Sequence, residues 1–145
     1  MKNTLAYLLL LCIVSCAVKP EPIAFGKDGC YACKMTLMDS KYGAEVVTNK
    51  GKIYKFDDIN CLAGFLHSDF LSKEDISQLL VIDFSLPEKL IPAEDAFFLH
   101  SDNLKSPMAS GVAAFGSREI LDMYNKDIAG KVMTWNEVLE KFNHQ

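Results

Sequence analysis

Between residues 44 and 66 the chain alternates, turns, alternates again and then changes period. Ala44-Glu45-Val46-Val47-Thr48 reads as a strand, Asn49-Lys50-Gly51-Lys52 supplies turn chemistry, and Ile53-Tyr54-Lys55-Phe56 alternates as a second strand. Asp57 or Asp58 then stands where a helix cap is needed. Behind it, Ile59, Leu62, Ala63 and Leu66 follow the i, i+3, i+4, i+7 spacing of an amphipathic helix. The second half repeats this order. Ala96 to His100 and Gly111 to Phe115 read as strands, and Ser117 opens a helix with Ile120, Leu121 and Tyr124 on one face. Phe56-Asp57-Asp58 matches Phe115-Gly116-Ser117. On that alignment, Met35 lies ahead of the first hairpin strand and Met108 ahead of the matching strand of the second half.

The remaining elements fit around these units. Ser72-Lys73-Glu74-Asp75 has the form of a capping box before a short helix, and Leu80 to Phe84 reads as a buried strand. Thr134-Trp135-Asn136-Glu137 is a second capping box, opening a terminal helix. The expected fold class is α+β: two β-β-α units whose sheets and helices share one core.

The N-terminus belongs to targeting rather than to folding. Lys2 is followed by about ten apolar residues, Leu5 to Val14, where a membrane-spanning helix needs roughly 20. The run fits a secretory signal and ends in Ile13-Val14-Ser15-Cys16, the form of a bacterial lipobox. We therefore expect residues 1–15 to be a lipoprotein signal peptide, and 16–24 to hold the lipidated Cys16 and a tether through Lys19-Pro20-Glu21-Pro22. Residues 25–145 form the folded domain. A fatty-acylated (palmitate-type) Cys16 holds a protein at a membrane surface without crossing it. The expected location is the cell envelope, facing the periplasm, and Ala17 after the anchor favours the outer membrane. The net charge of −4 includes no basic stripe, which argues against nucleic-acid binding.

Of five cysteines, Cys12 leaves with the signal and Cys16 takes the lipid. Cys30, Cys33 and Cys61 remain, an odd number for an oxidising compartment, so at least one thiol is spare. Asp28-Gly29-Cys30-Tyr31-Ala32-Cys33-Lys34-Met35 carries the informative chemistry. A C-x-x-C pair brings two sulfurs within reach of one metal, and Met35 adds a thioether two residues on. In an extended backbone Cys33 and Met35 point the same way. Thiolate with thioether is a soft set that selects Cu(I). If the halves pack with pseudo-symmetry, Met108 approaches Met35 and supplies another sulfur. The candidate metal ligands are Cys30, Cys33, Met35 and Met108. Cys61 reads instead as a buried structural thiol on the apolar side of its helix. Met38, Met123 and Met133 read as core, His67 and His100 as surface residues, and His144 as part of the terminus.

These residues resemble the NosL family, the accessory lipoproteins of nitrous oxide reductase. The matching features are the lipobox ending at Cys16, the Cys30, Cys33, Met35 run and Lys55-Phe56-Asp57-Asp58-Ile59. Ser106-Pro107-Met108, Ala113 to Ser117 and the Gly130 to Val138 tail match too. The resemblance covers almost the whole mature chain. It implies a Cu(I) chaperone, not an enzyme, that serves apo nitrous oxide reductase together with an ABC-type membrane transporter. It also implies Cys33 and Met35 as the leading ligands, with Cys30 and Met108 behind them. Two positions depart from the family's usual glycine: Lys34 stands between Cys33 and Met35, and Ala109 follows Met108.

Two other readings remain open at this level. Cys30 and Cys33 with Cys61 and His67 form a loose zinc-ligand set. Alternatively, Cys30 and Cys33 form a redox pair, although Thr36 to Gly43 lacks the long helix that usually follows such a pair. No Ser/His/Asp set, catalytic carboxylate pair or phosphate-binding glycine loop stands out.

Overall fold

A computed structural model describes residues 18–143. The lipobox, Cys16 and His144 lie outside that range. The chain folds as α+β, with two antiparallel sheets and three helices. The first hairpin forms where the alternation places it: β1 (Ala44–Thr48) pairs with β2 (Ile53–Phe56). The first helix, α1 (Ile59–His67), is capped by Asp58. Next comes β3 (Ile76–Ile82), which begins four residues earlier than the apolar run suggests because it pairs along the length of β1. Ser72 does not cap the turn before it; its hydroxyl donates to Asp75 instead. A short β4 (Leu90–Pro92), unmarked by any alternation, closes the first sheet in the order β2-β1-β3-β4.

The second sheet has the order β6-β5-β7. It is built from β5 (Phe97–His100), β6 (Val112–Phe115) and, after α2 (Arg118–Ile128), β7 (Lys131–Met133). The capping box at Thr134 and Glu137 forms as the sequence predicts and opens α3 (Trp135–Lys141). In both sheets, the strand after the helix returns to the free side of the strand that opened the hairpin. The repeated unit is therefore β-β-α-β, one strand longer than expected.

Ala44 pairs with Phe56 and Phe97 with Phe115, so these pairs are equivalent in the repeat. Ala44, Val46 and Phe56 face α1 and lie in the main core with Leu62, Ala63 and Phe65. Their counterparts Leu99 and Phe115 lie under α2, in a separate cluster with Leu121. The opposite face of the second sheet, with Phe98, Ala114 and Met133, joins the main core. The expectation of one core is thus corrected to a shared core and a satellite. A unit with one helix can cover only one face of its sheet, and the second sheet has two apolar faces. Phe98 stacks on Trp135 at 5.6 Å, fixing α3 against this shared core.

The tether lies along the first sheet. Gln78 donates to the Val18 carbonyl, Lys55 to that of Pro22, and the Glu21 N–H to buried Glu45. Met38 and Met123 are exposed rather than core, and only Met133 is buried of the three methionines read as core. No helix among the described residues is long and apolar enough to cross a membrane.

Candidate metal centre

The Cys30–Met35 segment is a tight turn. Gly29 bridges Thr36, the Cys30 N–H donates to the Met35 carbonyl, and the Lys34 N–H donates to the Cys30 carbonyl at 3.0 Å. Closing such a turn requires a left-handed residue. Lys34 takes that role with φ 66°. The extended backbone assumed for Cys33 and Met35 is therefore not present, and the same-side argument for their sulfurs fails. Lys34 is tied back to the turn: its ammonium donates to the Tyr31 carbonyl and lies 4.4 Å from the Tyr31 ring centroid.

Strand β2 holds this turn. The Tyr31 N–H donates to the Lys55 carbonyl, and the Lys55 ammonium meets Asp28 at 2.7 Å. That ion pair holds the Asp28 carboxyl below its ordinary range. Tyr31 packs against Tyr54, Phe65 and Phe70. The turn is thereby set over the first turn of α1, where Cys61 faces it.

The result is a cluster of three thiols. Sulfurs of Cys30, Cys33 and Cys61 lie within 4.8 Å of one another. Thiolate–zinc bonds are about 2.3 Å long, and three sulfurs at that distance around one ion stand about 4 Å apart. A soft ion thus fits with a small closing movement. Cys30 and Cys61 are buried and Cys33 is half-exposed; all three are free thiols. Sequence reasoning favoured Cys61 as a packing thiol and brought it to a metal only in the alternative zinc set. The signal was the odd cysteine count together with its place on the first turn of a helix.

The electrostatics prepare one thiolate. The Cys61 thiol donates to Cys30, and the Cys33 and Asp57 N–H groups add further bonds; together they bring the Cys30 thiol down to about 5. The same contact with Cys30, with burial, pushes the Cys61 thiol up. Cys33 is also raised, chiefly by burial. Burial, followed by the charge on Cys30, raises the Asp57 carboxyl to about 6.

Met35, two residues after Cys33, is 55% exposed. Met108 is half-buried against the shared core. Met108 sits in the β5–β6 loop, whose counterpart is the turn at 49–52, so the repeat does not make it equivalent to Met35. A different device brings it to α1. The Asp58 carboxylate accepts from Met108 N–H at 2.9 Å, and the Asn60 amide donates to the Met108 carbonyl at 2.9 Å. His67, at the far end of α1, donates to the Leu139 carbonyl and is outside the thiol cluster. His100 stands at the end of β5, where burial lowers its pKa. The four-ligand zinc set is therefore not assembled among the described residues. A groove of about 500 Å³ between α1, β3 and α3 is lined by Leu66, Ile76 and Trp135 and contains none of the cysteines.

A family model described as NosL matches residues 22–142 of the chain. The crystal structure of the copper chaperone NosL from Shewanella denitrificans shares the fold, with a TM-score of 0.68 at 19% sequence identity. The match covers 83% of this chain and 95% of that one. No curated protein matches the sequence.

Proposed function

Since this chain belongs to the NosL family, we propose that it is a copper chaperone, not an enzyme, that carries one Cu(I) at Cys30, Cys33 and Cys61 with Met35 and Met108 as thioether donors. The observation that carries this reading is the convergence of three free thiols within 4.8 Å, two buried and one half-exposed. Thiolate and thioether donors select Cu(I) over harder ions. The lowered pKa of Cys30 supplies a thiolate at neutral pH, so binding needs less proton release than three ordinary thiols would require. Half-exposed Cys33 and exposed Met35 leave the ion open to a receiving ligand, as delivery requires. Cys16 anchors the chaperone by its lipid to the periplasmic side of the cell envelope, at the outer membrane. There it works with an ABC-type transporter and hands copper to apo nitrous oxide reductase.

The test is an anaerobic Cu(I) titration of the fragment beginning at Ala17 against a coloured Cu(I) chelator, with Zn(II) as a parallel arm. One tightly held Cu(I) per chain, unmatched by Zn(II), supports the chaperone. Failure to compete for Cu(I), or preference for Zn(II), overturns it. Copper transfer to apo nitrous oxide reductase then tests the client.

A further inference from the structure

Asp58 does more than cap a helix. It is fully buried, and its two oxygens accept from five groups. One is its own helix, through Ile59 N–H at 2.6 Å. The other four belong to the second unit: Ser106 Oγ at 2.6 Å, Ser110 Oγ at 2.6 Å, Met108 N–H at 2.9 Å and Ser110 N–H at 3.4 Å. The two hydroxyls also contact each other at 3.0 Å, closing a small network around the carboxylate. Two residues on, the Asn60 amide donates to the Met108 carbonyl. The next residue is Cys61. Both backbone polar groups of Met108 are therefore gripped by the helical turn that carries one of the clustered thiols. A helix cap needs none of the four bonds to the second unit, because a capping side chain bonds only to N–H groups of its own helix. Asn60 has a second peculiarity: its Oδ1 is buried without a partner. Such an acceptor carries a desolvation cost, so the side chain is not there to optimise local stability.

We propose that Asp58 and Asn60 are positioning residues that clamp Met108 beside Cys61, so that the second unit contributes its thioether to the metal held by the first. This rests on the copper reading of the thiol cluster and specifies how the site spans both units. Asp58 sets the loop through charge-assisted bonds, and Asn60 fixes the rotation of the Met108 peptide. Neither touches the ion. Outer groups that orient ligands in this way are worth about 10- to 100-fold in metal affinity.

The experiment uses the chain from Ala17 with Asn60→Ala, Asp58→Asn, Met108→Leu and the double variant Asn60→Ala/Met108→Leu. Cu(I) affinity is read by chelator competition and ligation by X-ray absorption on selenomethionine-labelled protein carrying Met35→Leu. We expect Asn60→Ala to weaken Cu(I) binding by about tenfold with an unchanged melting temperature, and to have no further effect once Met108 is Leu. The Cu–Se signal should be present in the Met35→Leu protein and lost when Asn60→Ala is added. Asn60→Ala keeps the test valid if Asp58→Asn fails to fold. A Cu–Se signal that survives Asn60→Ala, or full additivity with Met108→Leu, overturns the clamp. Absence of any Cu(I) binding by the parent chain overturns the copper reading instead, so the two failures are distinguishable.

Discussion

The two β-β-α-β units use the same strand order but put their equivalent positions to different uses. In the first unit, the face of β1 turned away from α1 carries Glu45, covered by the tether through the Glu21 N–H. In the second unit the equivalent position on β5 is Phe98, which packs into the shared core on Trp135. At the helix starts, Asp58 reaches across to the β5–β6 loop, whereas Ser117 accepts only from Ile120 of its own helix among backbone groups. Where α1 carries Cys61, α2 carries Ile120 in the same register. The second unit thus serves as a wall for the first, and the metal site arises where the first unit departs from the shared pattern. Repetition supplied the scaffold; two local differences at one helix start, Asp58 for Ser117 and Cys61 for Ile120, set the first unit apart.

The largest break in this comparison is at position 61. Cys61→Ala should weaken Cu(I) binding by about 100-fold or more, beyond the range seen for residues that only orient ligands. The converse change, Ile120→Cys, should bring no second copper, because the thiols among the described residues are all gathered in the cluster at the start of α1. Copper stoichiometry and chelator competition check both. A Cys61→Ala protein with unaltered affinity would return Cys61 to the packing role assigned from sequence.

The next break exchanges the caps. Asp58→Ser copies Ser117, keeping a local cap but leaving Ser106, Ser110 and the Met108 N–H short of their acceptor. Leaving a buried group unsatisfied costs about 1–3 kcal/mol, so we expect a loss of about 2 kcal/mol in urea unfolding. Ser117→Ala removes only a helix cap and should cost about 1 kcal/mol. Equal losses from the two variants would mean that the cross-unit bonds add nothing to stability.

Much of this arrangement was legible in the sequence, because hairpin alternation, helix spacing and capping boxes are local signals. The first hairpin, α1, α2 and α3 form where Glu45, Asp58, Ser117 and Thr134 predict them. The short strands β4 and β7 were not legible: three residues carry no period, and both form only because a longer strand offers them an edge. The Cys30, Cys33 pair was visible from its spacing. Cys61 was not, since its distance to Cys30 is set by how the turn at 30–35 docks on β2 and α1. Met108 was chosen as a candidate partly from an equivalence with Met35 that the topology does not support. Its loop is held against α1 by Asp58, and a carboxylate before a helix looks in sequence like any other cap. Exposure of Met38 and Met123 likewise follows from packing that no apolar pattern records.

Glu45 sharpens the contrast between the strands with a smaller effect. Its carboxylate is buried, one oxygen has no partner, and burial raises its pKa. An acid whose folded pKa lies above the unfolded value of about 4.3 binds more protons when folded. Its cost to stability is absent below the unfolded pKa, grows as pH rises through the interval up to the folded pKa, and is complete above it. Glu45→Gln should therefore stabilise the chain at pH 7 by about 1 kcal/mol, with the advantage disappearing below about pH 4. Urea melts of both proteins at pH 7 and pH 4 test this; an advantage independent of pH would show that ionisation of Glu45 is not its source.

The smallest effect lies in the two loops that present the methionines, one from each unit. Lys34 and Ala109 both have left-handed backbones, with φ 66° and 55°, at the positions where the family resemblance leads one to expect glycine. A side chain in this conformation costs about 1–2 kcal/mol, and glycine returns part of the gain through the entropy of the unfolded chain, about 0.5–1 kcal/mol. Ala109→Gly should thus stabilise by about 0.5 kcal/mol. Lys34→Gly should be nearly neutral, because it also loses the ammonium contact with the Tyr31 ring, worth about 0.5–1 kcal/mol at an exposed site. The same backbone feature then yields different outcomes in the two units because only the first has recruited the side chain into its site. A Lys34→Gly gain equal to that of Ala109→Gly would show that the Lys34–Tyr31 contact does not stabilise the turn, and that this lysine is merely tolerated in a position built for glycine.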